Sequence, residues 1–148
     1  MKLLPAIVMH KKFWIVFCSG LAVGWLSWNM AIVGDTVIVI ERAKSPQEHA
    51  LGLGGRKSLG ERMGMLFIFE EKRNSQFWMK GMEFPIDIIW LVDGRVVALD
   101  EGAKVAPHLK DDELPRYAAP VPFDRVLEVE AGNAKKWGVS VGTRVYAW

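Results

Sequence analysis

The stretch "FWMKGMEFPIDIIW", residues 77–90, sets one carboxylate, Asp87, inside a run from Phe84 to Val92 that is otherwise apolar. A buried carboxylate without a partner is strongly unfavourable, so its partners define its role. On a strand, Ile86, Ile88, Trp90 and Val92 share one face, and Asp87, Ile89 and Leu91 share the other. Asp87 therefore has two readings. As a structural pin it accepts N–H bonds from the 80–84 turn or pairs with Lys80. As a functional group it is the polar anchor of a pocket floored by Trp78 and Trp90, or a general acid–base group assisted by Lys80 or Tyr117. Lys80 beside a dry carboxylate would itself become a base or nucleophile if its pKa were depressed.

Other reactive side chains are sparse. "PHLKDDELPRY", residues 107–117, offers His108, Asp111, Asp112 and Tyr117, but adjacent acids diverge and no metal-ligand spacing appears. The single cysteine, Cys18, lies in the amino-terminal apolar segment, which removes a disulfide, a thiolate cluster and a thiol nucleophile from the rest of the chain. "GLGGRKS", residues 52–58, lacks the Gly-Lys-Ser/Thr ending of a phosphate loop. Its glycines release a helix into a turn, where Arg56 and turn N–H groups could meet an anion. His49 falls in that helix as a surface or boundary residue. No metal site and no cofactor are expected.

The elements that must position these residues read mainly as strands. Residues 36–43 ("TVIVIERA"), 65–69, 76–80, 86–92, 95–101, 125–130 and 141–148 carry strand patterns, and Asp93-Gly94 is a hairpin turn. "RVLEVE", residues 125–130, alternates as a half-buried strand. Ser45, Pro46 and Glu48 open a helix of about two turns through a capping box. "NAKKWG" makes a second, single turn, and the proline-rich residues 102–122 form a loop. Without a βαβ rhythm, the expected fold is a compact, mostly antiparallel β-barrel or sandwich with one or two short helices.

Residues 13–34 hold 22 uncharged residues, preceded by Lys2, Lys11 and Lys12 and followed by Asp35 and Glu41. A helix of that length reaches ~30 Å, the thickness of the hydrocarbon layer. The charge bias keeps residues 1–12 in the cytoplasm and exports residues 35–148 as a tethered domain. Two alternatives remain: signal cleavage near Ala22-Val23-Gly24, giving a secreted or periplasmic product, and a lipoprotein site at Cys18, which Phe17 disfavours. Of 19 basic and 17 acidic side chains, three lysines precede residue 13, leaving 16 basic and 17 acidic in residues 35–148. That balance lacks the electrostatic footprint of a nucleic-acid binder.

The ordered motifs "GMLFIF", "FWMKGMEFPIDIIWLVDGRVV" and "VLEVEAGNAKKWGVSVGTRV", with "GLGGRKSL", "PRY" at 115–117 and Ala131-Gly132, resemble the prokaryotic domain-of-unknown-function 192 family over about residues 36–146. The resemblance implies a small β-rich domain behind a signal or anchor and no established reaction. This chain departs from the family pattern at Gly54, where methionine is usual, and lacks the cysteines that some members carry near the Pro-x-Tyr motif.

The leading expectation is a non-enzymatic binding or scaffolding domain on the outer face of the cytoplasmic membrane. Its rim would comprise Arg56, Trp78, Lys80, Asp87, Trp90 and Tyr117, and its partner would be an envelope protein or a small ligand. The rivals are an envelope enzyme built on Asp87 and an assembly or stability factor for a membrane protein.

Overall fold

In the computed structural model, residues 29–147 are described. Nine strands and two short helices follow in the order β1 (Met30–Val33), β2 (Thr36–Ala43), α1 (Pro46–Leu51), β3 (Met63–Arg73), β4 (Phe77–Trp78), β5 (Ile86–Val92), β6 (Arg95–Ala103), β7 (Arg116–Tyr117), β8 (Phe123–Glu130), α2 (Asn133–Lys136) and β9 (Val145–Ala147). Seven strands form one sheet in the order β6-β5-β8-β3-β2-β1-β9, and β4 pairs with β7 in a separate two-stranded ribbon. The large sheet curls until its outer strands meet at one end. There Val96 N donates to Thr143 O at 2.9 Å, and Val145 N donates to Gly94 O at 2.8 Å. The result is a half-barrel.

Two expectations change. Met30–Val33, counted with the apolar segment 13–34, instead form β1, bonded on one side to β2 and on the other to β9. Residues 13–28 of that segment lie outside the described residues. β2 and β3 also run parallel, joined across α1, so one βαβ-like crossover stands in an otherwise antiparallel sheet.

Local chemistry sets the element ends. Ser45 caps α1 by accepting Glu48 N at 3.2 Å, while the Glu48 carboxylate accepts Ser45 N and Lys44 N, both at 2.8 Å. Those backbone donors hold the Glu48 carboxyl down at about 2. In the β5–β6 turn, Asp93 and Gly94 both take positive φ, 50° and 74°. The β1–β2 turn has stricter demands. Gly34 has φ +57°, and a Cβ there would stand 2.0 Å from Trp137 O.

The central strands are covered on both faces, which is why β5 is apolar almost throughout. One face, with Ile38, Leu66, Ile89, Leu127 and Val129, packs around Trp137 and Ala134 of the α2 segment. The other, with Met65, Phe67, Ile88, Trp90 and Val126, is covered by Leu53, Leu59, Met79, Met82 and Phe84 from the long connections.

Candidate functional site

Asp87 belongs to the face that carries α2. It is completely buried, and its carboxylate accepts three backbone N–H bonds: Gly102 at 2.8 Å, Gly132 at 2.9 Å and Ala134 at 3.0 Å. These bonds tie the end of β6 and the start of α2 to β5. The structural reading is right in kind, but its donors differ from the expected ones. The 80–84 turn supplies none, and Lys80 pairs instead with Asp111. Asp87 has no exposed surface, so a substrate does not reach its carboxylate in this structure.

The opposite face carries a groove of about 280 Å³ beneath α1. His49, Leu51 and Leu53 form its α1 side, and Phe67, Phe69 and Arg73 come from β3. Phe77, Trp78, Lys80 and Met82 close the other side. The aromatic wall continues into the core: Phe77 meets Phe67 at 5.1 Å and Trp90 at 5.3 Å, both edge to face. Trp78, 37 % exposed, lies between the Arg116 guanidinium at 4.0 Å and the Lys80 ammonium at 5.3 Å from its ring centre. His49 is fixed by a 2.9 Å bond between Nε2 and Ala43 O and packs on Phe69 at 4.6 Å.

Glu128 of β8 also lines this groove. It stands in register between Met65 of β3 and Ile88 of β5, on the same face as Val126 and Phe67. Only 6 % of its surface remains accessible, and no described residue gives its side chain a hydrogen bond or ion pair. No buried side-chain oxygen among the described residues is sealed off without a partner, so the Glu128 oxygens keep their contact with the groove. Burial pushes this carboxyl up to about 8, because the apolar surroundings disfavour the charged form.

The six residues expected to form one rim are thus dispersed. Trp78 and Lys80 line the groove. Trp90 is core, its indole N–H bonded to Asp100 at 2.7 Å. Tyr117 pairs across from Phe77 but lines a separate depression with Asp100, Lys104 and Pro115. Arg56 is held by Glu41 through two bonds of 2.6 and 2.8 Å, which also lower the Glu41 carboxyl. No three His, Cys, Asp or Glu side chains gather into a metal-sized cluster among the described residues, so His108, Asp111 and Asp112 form no such set.

Glu128 escaped the sequence reading for a simple reason. The alternation of "RVLEVE" assigns it to a solvated face, and only the connections folded over that face bury it. The available signal was Val126, two residues earlier on the same side.

A family model described as "Uncharacterized ACR", DUF192, matches residues 29–147. No curated protein gives a significant match. Among solved structures, a proposed transcription regulator from Sinorhizobium meliloti 1021 is 30% identical with a TM-score of 0.68, the match covering 78% of this chain and 88% of the other. A protein of unknown function from Novosphingobium aromaticivorans DSM 12444 is also 30% identical, with a TM-score of 0.70 and coverage of 80% and 84%.

Proposed function

This chain belongs to the DUF192 family, and from its groove we propose that it is a non-enzymatic binding domain, exported across the cytoplasmic membrane, for a small ligand seated under α1. One observation carries this reading: a buried carboxyl without a partner, Glu128, faces a half-open, aromatic-lined groove. Folding gives that polar group no protein partner, and a ligand in the groove would supply one in place of water. The volume, about 280 Å³, lies just below the ~300–1,000 Å³ usual for small-molecule sites.

Export rests on the sequence. Because β1 claims Met30–Val33, the uncharged run before it narrows to residues 13–29, and as a helix these would reach ~26 Å. That is short of the ~30 Å hydrocarbon layer and closer to the apolar region of a cleaved signal. Cleavage after Gly24 is therefore favoured over retention as an anchor. Amino-terminal sequencing of the protein recovered from the cell envelope checks it, and an intact Met1 there would restore the anchor.

The Sinorhizobium neighbour's description gives no reason to add nucleic acid. Residues 35–148 hold 16 basic against 17 acidic side chains, and the groove has only Arg73 and Lys80 as permanent cations. An enzymatic reading would move the acid–base role from Asp87 to Glu128, and His49 on the same groove wall favours it. Recovery of a bound compound chemically unchanged after long incubation would count against that alternative.

The test is a fragment screen by ligand-observed NMR on the full chain in mild detergent, beside Ser75→Trp, which fills the groove. Hits lost in the plugged variant support the proposal. An empty screen, or hits that ignore the plug, sinks it.

A further inference from the structure

Building on that reading, we propose that the groove takes a small aromatic molecule with an anionic group at its exposed end and a neutral hydrogen-bond acceptor at its buried end, to which the Glu128 carboxyl donates. The strand neighbours of Glu128, Met65 and Ile88, offer it neither charge nor hydrogen bond. A neutral carboxyl has one O–H to donate, and a ligand carbonyl is the simplest group that accepts it.

The surrounding charges set the sign at the other end. His49 faces the groove from α1, Arg73 from the end of β3, and Lys80, with its partner Asp111, from the turn after β4. No acid other than Glu128 lines it. Arg73 lies over the Phe69 ring at 4.8 Å and forms no ion pair with a described residue. A cationic ligand would have to pass Arg73 and Lys80 and then ionise Glu128 within an apolar wall. An anionic group that stays at the exposed end gains from the exposed Arg73 and Lys80 of the lining while still touching water.

The body of the ligand follows from the walls. Phe67, Phe77 and Trp78 present ring surfaces, which match an aromatic ring better than an extended polar chain. A single ring fits, since an apolar cavity of ~150 Å³ already admits benzene and this groove offers about 280 Å³.

Binding is then proton-dependent. Burial raises the Glu128 carboxyl to about 8, so it keeps its proton at neutral pH and loses the donor above that value. Apparent affinity follows the protonated fraction, which falls about tenfold between pH 7 and pH 9.

The experiment titrates the full chain, in mild detergent, with 4-carbamoylbenzoate and with 4-(aminomethyl)benzamide, which keeps the ring and amide but carries a cation. At pH 7 the anion is expected to bind at least tenfold more tightly. Its affinity should fall about tenfold by pH 9 in the native chain. In Glu128→Gln, which keeps an N–H donor and cannot titrate, it should stay flat. Arg73→Gln should narrow the gap between anion and cation and leave the pH dependence intact. No binding of the anion, equal or tighter binding of the cation, or a fall that persists in Glu128→Gln overturns the assignment. So does a fall that vanishes in His49→Gln instead. If fragments still compete in the groove, only the ligand class fails. If nothing enters it in either experiment, the binding reading fails as well.

Discussion

Asp87 and Glu128 sit on neighbouring strands, Asp87 opposite Val129 and Ile88 opposite Glu128, yet they point to opposite faces of the same sheet. Both are buried. Asp87 is surrounded by backbone N–H groups that the ends of β6 and α2 cannot otherwise satisfy, so its charge does structural work. Glu128 stands in register with Met65 and shares with Phe67 and Met82 the lining of a groove open to water, and nothing in the described protein answers it. Burial by itself therefore does not mark a functional carboxyl. The presence or absence of an internal partner does.

The largest effect should come from Asp87→Ala, which removes the acceptor of three backbone N–H groups, that of Ala134 buried and those of Gly102 and Gly132 partly so. Chemical denaturation should register a loss of roughly 3–5 kcal/mol. A loss below ~1 kcal/mol would break the comparison by making Asp87 as dispensable as a site residue.

Glu128→Gln should act in the opposite direction, and only at high pH. A carboxyl raised from 4.5 to about 8 by folding holds its proton more tightly in the folded state. Its contribution is full below pH 4.5 and is lost as pH rises through 8. The amide variant should thus exceed the native chain by roughly 5 kcal/mol at pH 9 and by less than ~1 kcal/mol at pH 5. Parallel denaturation curves across that range check it, and a native chain whose stability does not decline above pH 5 would show that Glu128 is not held neutral.

Smaller changes sharpen the contrast. Ser45→Ala removes the α1 cap beside the groove and should lower stability by about 1 kcal/mol. Lys80→Ala should stay within ~0.5 kcal/mol in a thermal melt, because its partners, the exposed Asp111 and the half-exposed Trp78 ring, both face water. A loss several times larger would revive its pairing with Asp87.

Much of the framework was legible. The Ser45-Pro46-Glu48 box, the Asp93-Gly94 turn and strand β2 depend on neighbours within a few residues, and they appear where the sequence places them. Of the candidate rim around Asp87, Trp78 and Lys80 line the groove on the other face, whereas Arg56 and Trp90 took internal partners, Glu41 and Asp100. Those partners are 15 and 10 residues away in the chain, and local pattern carries no record of them.

The sequence by itself determined the strand-rich class, the capped helix, the tight hairpin and an apolar β5 with one acid in it. Tertiary structure decided which partners that acid would have, that Met30–Val33 would close onto β9, and that the polar side of "RVLEVE" would be roofed over. The division has one physical cause. Periodicity fixes which side chains share a face, but burial depends on what the rest of the chain packs against that face.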